Sequence, residues 1–300
     1  MPAHAPSSLA AARRLAAELL PGWPVERAVA IEDGWDSVVL ALDGGWIVRV
    51  PRRAEVRRWM AAEAALLAKL APCLPVPVPA FARVELAADG VALVAYPKLP
   101  GAPIDRGFDD PEHAAAIGAG LGRFLAALHR FPHRRALPAA VTDARPEGWL
   151  AHERAFWERC ERAVLPLLEP SERARAATMH DAFLAHVDES RLALIHGDLG
   201  PEHILCDGPV VSGVIDWSDA HVGDPALDFG WLLHGTPAAL ARALWAAYDE
   251  AGGALDPGLH ARSLYYHRIG PWHEVTYGLE HRRPELVESG LAGVRRRLPG

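Results

Sequence analysis

Hydrophobic periodicity changes at Tyr96, and that change constrains the fold more than any other feature of the 300-residue chain. Before it, short alternating runs separated by turn residues read as strands; after it, apolar residues recur at helical spacing. One β island, Leu192 to Trp217, interrupts the helices. The pattern predicts an α+β chain in two lobes. Residues 1–96 form a small antiparallel sheet with one helix, 97–101 a short stiff tether, and 102–300 a larger, mainly helical lobe.

In the small lobe, Ser7-Ser8-Leu9 opens a peripheral helix that Pro21-Gly22 stops. Val29 to Ile31, Ser37 to Leu42 and Trp46 to Val50 follow as a meander, with Asp43-Gly44-Gly45 supplying turn chemistry. A helix from Ala54 to Leu70 carries an apolar stripe of Val56, Met60, Leu66, Leu67 and Leu70. Pro72, Pro75, Pro77 and Pro79 then force an extended connector. It leads to strands near Phe81 to Leu86 and Val91 to Tyr96, separated by Ala88-Asp89-Gly90. In the large lobe, Asp110 and Pro111 start a helix that runs to about His129. Further helices are expected over Pro146 to Leu168, Ser171 to Val187, Pro237 to Ala251 and Pro257 to the C-terminus. Gly118, Gly120 and Gly122 mimic a phosphate-binding glycine run, but no strand precedes them, so they read as a close helix-packing surface.

Lys plus Arg number 31 against 38 Asp plus Glu, a formal charge of −7, which argues against a nucleic-acid partner and suits a cationic small molecule. Cys73, Cys160 and Cys206 are widely spaced and form no C-x-x-C pair, so neither a disulfide framework nor a zinc site fits, and a reducing cytoplasm is the expected location. No apolar run reaches the roughly 18 residues of a membrane span. The N-terminal stretch reads as an amphipathic helix without a signal-peptide core. Motifs of P-loop NTPases, α/β-hydrolases and zincins are missing from the sequence.

The β island holds the densest polar group in the chain, His196-Gly197-Asp198-Leu199-Gly200-Pro201-Glu202-His203, between apolar strands. After a turn at Asp207-Gly208-Pro209, a second apolar run ends abruptly at Asp216-Trp217. Asp198 and Asp216 thus emerge from strand ends that a hairpin would bring near each other. Adjacent carboxylates repel, so a cation belongs with them; Mg²⁺, held by one or two carboxylates plus substrate phosphates, is the natural candidate. On the Ala54 to Leu70 helix, Glu63 falls in the row Met60, Glu63, Leu67, Leu70 and so lies on a mostly apolar face. A buried carboxylate needs a cationic partner, and Arg49, at the end of the preceding strand, is the obvious one.

These stretches resemble the antibiotic kinases, the aminoglycoside and macrolide phosphotransferases, which share the protein-kinase-like fold. His196-Gly197-Asp198 with His203 looks like their catalytic loop, and Ile215-Asp216-Trp217 like their metal-binding segment. The resemblance implies ATP or GTP as phosphate donor, Mg²⁺, and a hydroxyl of a small antibiotic as acceptor, in a monomer or homodimer with no membrane association. Asp198 would orient the acceptor hydroxyl and take its proton, with His196 organising the loop; His203 and Asp216 would hold the metal. Arg49, standing where a Lys is usual, would meet the phosphates with Glu63 fixing it, although Arg has a different geometry. Tyr96 and Lys98 fall in the interlobe segment Tyr96 to Gly101, which is similar to the one that meets the purine base. Gly223-Asp224-Pro225-Ala226-Leu227-Asp228-Phe229 looks like the segment that braces the catalytic loop, with Asp224 and Asp228 as structural residues. The loop Glu32 to Asp36 stands in the nucleotide-covering position with a single glycine. An aminoglycoside acceptor would call on Asp249, Glu250, Glu274 and Glu280; a macrolide would need an apolar wall of Trp231, Tyr265, Tyr266, Trp272 and Tyr277. A kinase acting on an ordinary metabolite, and a nucleotide-binding module without activity, remain open as alternatives at this level.

Overall fold

The structure, a computed structural model, describes residues 8–31, 36–88, 90–104, 110–132 and 148–300. Of the predicted features, the Glu32 to Trp35 part of the nucleotide-covering loop, Ser7, Asp89 and Pro146 lie outside the described residues. The chain forms two compact units. One holds the described residues up to 104 together with Pro201–Ala220; the other holds those from 110 to 132, from 148 to 200, and His221–Gly300.

In the first unit, α1 (Leu9–Leu19) begins at Ser8, whose side chain accepts a hydrogen bond from the Ala11 amide. β1 (Val29–Ala30), β2 (Ser37–Leu42), β3 (Trp46–Pro51), β4 (Arg83–Ala87) and β5 (Gly90–Pro97) make an antiparallel sheet in the order β1-β2-β3-β5-β4. Strand side chains alternate between faces, and β3 uses both. Val48 and Val50 pack with Ala12, Ala16 and Leu20 from the α1 side, whereas Ile47 packs with Met60 of α2 (Ala54–Leu70) and with Val94 and Tyr96 of β5. Arg49 shares the Ile47 parity and therefore points to the α2 face. Burying Val56, Met60, Leu66, Leu67 and Leu70 at no more than 2% exposure holds α2 on the sheet, at about 1.5–3 kcal/mol for each large side chain. A second, three-stranded sheet joins β6 (Ala102–Pro103), β8 (Ile204–Asp207) and β9 (Val210–Val214).

The second unit is mainly helical: α3 (Pro111–His129), α4 (Gly148–Ala163), α5 (Pro170–Leu184), α6 (Ala226–His234), α7 (Ala238–Glu250), α8 (Leu259–Glu280) and α9 (Pro284–Arg297). A two-stranded ribbon of β7 (Ala193–Ile195) and β10 (His221–Gly223) lies among them. Asp110 caps α3 by accepting from the Glu112 amide at 2.8 Å. One expectation is corrected. The final helix is two, because Arg282 adopts a left-handed φ of 53° and Pro284 starts a new first turn. The β island contributes strands to two different sheets. Sequence periodicity also overlooks α6, whose run Ala226-Leu227-Asp228-Phe229-Gly230-Trp231-Leu232-Leu233 is apolar nearly all round, as suits a buried helix.

Gly118 and Gly122 are packing positions, as expected from the sequence. A Cβ on either would stand 2.3 Å from a carbonyl oxygen of α7, that of Leu240 or of Leu244. We expect Gly122→Ala to cost about 1–3 kcal/mol by overpacking, measured as a lower urea midpoint; an unchanged midpoint would show that the helices separate freely.

Candidate active site

In the first unit, a charged cluster gathers on the α2 face of β3. Arg49 Nη1 donates to Glu63 Oε1 at 2.7 Å, and Arg49 Nη2 lies 3.5 Å from Asp216 Oδ1. His203 Nε2 is 3.7 Å from Asp216 Oδ2, and the Ser218 hydroxyl donates to Asp216 Oδ1 at 3.1 Å. The side chains of Arg49 and Glu63 are 8% and 1% exposed, that of Asp216 44%, so the cluster runs from a buried ion pair to a half-exposed carboxylate. Burial pushes the Glu63 carboxyl above its usual range against the pull of Arg49. For Arg49, burial alone would lower the guanidinium, but the carboxylates of Glu63 and Asp216 outweigh it and the net shift is upward. Tyr96, 7% exposed, joins the group through a hydrogen bond with Arg49; burial pushes its phenol up to about 12.

Local backbone geometry holds Asp216 in place. The Ile215 amide donates to the His203 carbonyl at 2.9 Å, and the Trp217 indole donates to the Val214 carbonyl at 3.0 Å, fixing both sides of the turn. Asp216 itself has a φ of 61°. A non-glycine residue there is under strain of order 1–3 kcal/mol, and such strain concentrates at functional sites. Among the described residues no three His, Cys, Asp or Glu side chains converge as a closed metal cage. The half-exposed Asp216 carboxylate is of the kind that suits Mg²⁺, which takes one or two carboxylates and completes its shell with phosphates and water.

The second unit carries the His196 to Gly200 part of the polar stretch as a turn leaving β7. His196 is fully buried and Asp198 exposed. Gly197, at φ 86°, supplies the left-handed step between them. The Asp198 amide is 3.3 Å from His196 Nδ1, which places His196 as an organiser of the turn. The amides of His196 and Gly197 both donate to the buried Asp228 carboxylate, each at 2.9 Å. Asp224 is likewise buried and is bound by Arg262 and by the Ser190 hydroxyl. Both acids are internal supports, as the sequence suggests.

Other predicted residues lie where their roles differ. Lys98 is exposed, and its amide donates to the Gly45 carbonyl at 2.7 Å. Among candidates for an apolar acceptor wall, Trp272, Tyr265 and Tyr266 are 0%, 2% and 6% exposed and belong to the core of the second unit; Trp231 and Tyr277 are half-buried. Asp249, Glu250 and Glu280 are exposed and Glu274 is half-buried. Sequence reasoning overlooked Ser218, whose only signal is its place two residues after an Asp, and His129, which reads as an ordinary last-turn helical residue.

The model of a family described as APH, phosphotransferase enzyme family, matches residues 27–265. Viomycin phosphotransferase of Streptomyces vinaceus is 28% identical over 298 residues, covering 94% of this chain and 98% of that protein. The apoenzyme structure of macrolide 2'-phosphotransferase MphH from Brachybacterium faecium is 29% identical, with a TM-score of 0.73 over 95% of this chain and 98% of that one. The GDP and kanamycin complex of APH(2")-IIia, 23% identical, superimposes with a TM-score of 0.83 over 95% of this chain and 97% of that one. The fold is thus kinase-like, with a small antiparallel-sheet lobe and a larger helical lobe.

Replacing Arg49 by Met leaves Glu63 buried without its partner, and we expect a stability loss of about 3–5 kcal/mol at neutral pH. The sign with pH follows from Arg49 pulling the Glu63 carboxyl down against burial, so that removing Arg49 raises it further. Below the unfolded pKa of about 4.3 Glu63 is protonated throughout and the deficit is smallest; it grows as pH climbs past the folded value of the unaltered chain, where only that chain gains from an ionised, paired Glu63. Urea denaturation at about pH 4 and about pH 7.5 checks this, and a deficit that shrinks toward neutral pH would contradict it.

Proposed function

Because the chain belongs to the phosphotransferase enzyme family, we propose that it transfers the γ-phosphoryl group of ATP or GTP to a hydroxyl of an antibiotic, and that the acceptor is cationic. The observation that carries the reading is Asp216, held in a left-handed backbone conformation beside the Arg49–Glu63 pair and His203.

In this reading Arg49, locked by Glu63, places its guanidinium against the donor phosphates, and Tyr96 and Lys98 lie toward the base. Asp216, with His203 beside it, holds Mg²⁺, which when bound neutralises charge developing on the phosphoryl oxygens. Asp198 accepts a hydrogen bond from the acceptor hydroxyl, orients its oxygen toward the γ-phosphorus and takes the proton as the new O–P bond forms. The bond to the β-phosphate oxygen breaks and the nucleoside diphosphate departs; Asp198 then releases its proton to water. Positioning and charge stabilisation supply most of the acceleration in such a transfer.

Three features favour a cationic acceptor. The chain carries a net charge of −7. Asp249, Glu250 and Glu280 are exposed on the helical unit, while three of five candidate apolar-wall rings are consumed by the core. The similar proteins include a viomycin phosphotransferase and a kanamycin-bound structure. Phosphate transfer from ATP and from GTP to kanamycin, viomycin, a macrolide and a set of amino alcohols and sugars tests the acceptor class. Turnover on the uncharged sugars alone would overturn the cationic acceptor, and turnover on the amino alcohols alone would overturn the antibiotic. With the best acceptor, Asp198→Asn should lower kcat roughly 10²-fold or more with nucleotide affinity retained, whereas Asp216→Ala should abolish Mg²⁺-dependent nucleotide binding in calorimetry. Full turnover in the first variant, or intact Mg²⁺-dependent binding in the second, removes that residue from its role.

A further inference from the structure

Asp228 receives a third hydrogen bond besides those from the His196 and Gly197 amides. His129, at the end of α3, places Nε2 at 3.1 Å from Asp228 Oδ2. The other ring nitrogen, Nδ1, is 2.9 Å from the hydroxyl of Tyr248 on α7. Tyr248 in turn accepts from the Ala254 amide at 3.0 Å. All three side chains are buried, and Phe229 of α6 sets its ring edge-on to both the imidazole and the phenol, at centroid distances of 5.9 and 4.9 Å.

The Ala254 amide can only donate, so the Tyr248 oxygen accepts there. With a neutral imidazole, Tyr248 directs its own O–H to His129 Nδ1 and the ring proton sits on Nε2; with an imidazolium, both ring nitrogens donate. In either form Nε2 carries a proton that faces the Asp228 carboxylate. Burial raises the Tyr248 phenol and keeps it protonated; the Asp228 carboxyl, which burial alone would raise, is lowered on balance by His129, His196 and the Gly197 amide, so it stays ionised.

We propose that His129 and Tyr248 are positioning residues for phosphoryl transfer, a relay in which Tyr248 fixes the ring of His129, His129 fixes the Asp228 carboxylate, and Asp228 fixes the turn that carries Asp198. The close approach of α3 and α7 at Gly118 and Gly122 makes the relay possible, because it lets a phenol on one helix reach an imidazole on the other. Gly253 belongs to the same device: a Cβ there would stand 2.3 Å from the Tyr248 ring. A misplacement of about 1 Å at the reacting group can cost about 10²-fold in rate, so a support two residues removed from the chemistry acts on kcat. The inference rests on the proposed role of Asp198.

The test compares His129→Leu, His129→Gln and Tyr248→Phe with the unaltered enzyme, using the best acceptor from the panel and amide exchange by mass spectrometry over residues 193–200. His129→Leu should lower kcat by about 10²-fold with the nucleotide KM within about two-fold, and should speed exchange at the 196 and 197 amides while Ala193–Ile195 keep their protection. Gln presents an N–H to Asp228 in place of Nε2 and should recover much of both losses. Tyr248→Phe removes one hydroxyl without altering the packing; it should reduce kcat roughly 2–10-fold and loosen the same two amides, and it carries the test if His129→Leu fails to fold. Unchanged exchange at 196 and 197, exchange that rises equally throughout β7, or a Gln variant no better than Leu would each overturn the relay. Asp198→Asn serves as control: normal turnover in it sinks the assignment of Asp198, while the exchange results still judge the relay by itself.

Discussion

A carboxylate taken out of water has to be matched by donors or by positive charge, and in this chain that requirement organises both compact units. Glu63 is matched by the charge of Arg49, which bonds its Oε1, binds α2 to the central strand of the sheet and orients a guanidinium toward Asp216. Asp228 is satisfied by two amides and an imidazole, which binds α6 and α3 to the turn after β7. Breaking such an arrangement costs several kcal/mol because the remaining partner is stranded. The same interactions therefore hold each unit together and set the orientation of its reactive side chain.

Much of this was legible in the sequence, for identifiable reasons. The end of the strand before α2 and the Met60, Glu63, Leu67 row each placed one member of the Arg49–Glu63 pair, and a carboxylate on an apolar face has few ways to be satisfied. The turn residues Gly44 and Gly45, the caps Ser8 and Asp110, and Pro111 marked element ends because their backbone preferences act locally. Gly118 and Gly122 of α3 were read correctly as packing residues because no strand preceded them.

What escaped the sequence depended on tertiary context. α6 lacks an amphipathic period because it is buried nearly all round, so no window distinguishes it from strand. His129 and Tyr248 meet across 119 positions of chain, a pairing that helical spacing cannot encode. The aromatic residues Tyr265, Tyr266 and Trp272 looked available for an acceptor, yet one helix face decides whether a ring faces solvent or core, and α8 turns these inward. Short strands such as β6 and β10 exist only because a partner pairs with them.

The left-handed backbone at Asp216 bears on how such a chain changes over generations. Glycine would adopt that conformation freely, so drift toward it relieves strain and makes a sturdier molecule. It also deletes the acid. At this one position the side chain that would serve use and the side chain that would serve durability are therefore different residues.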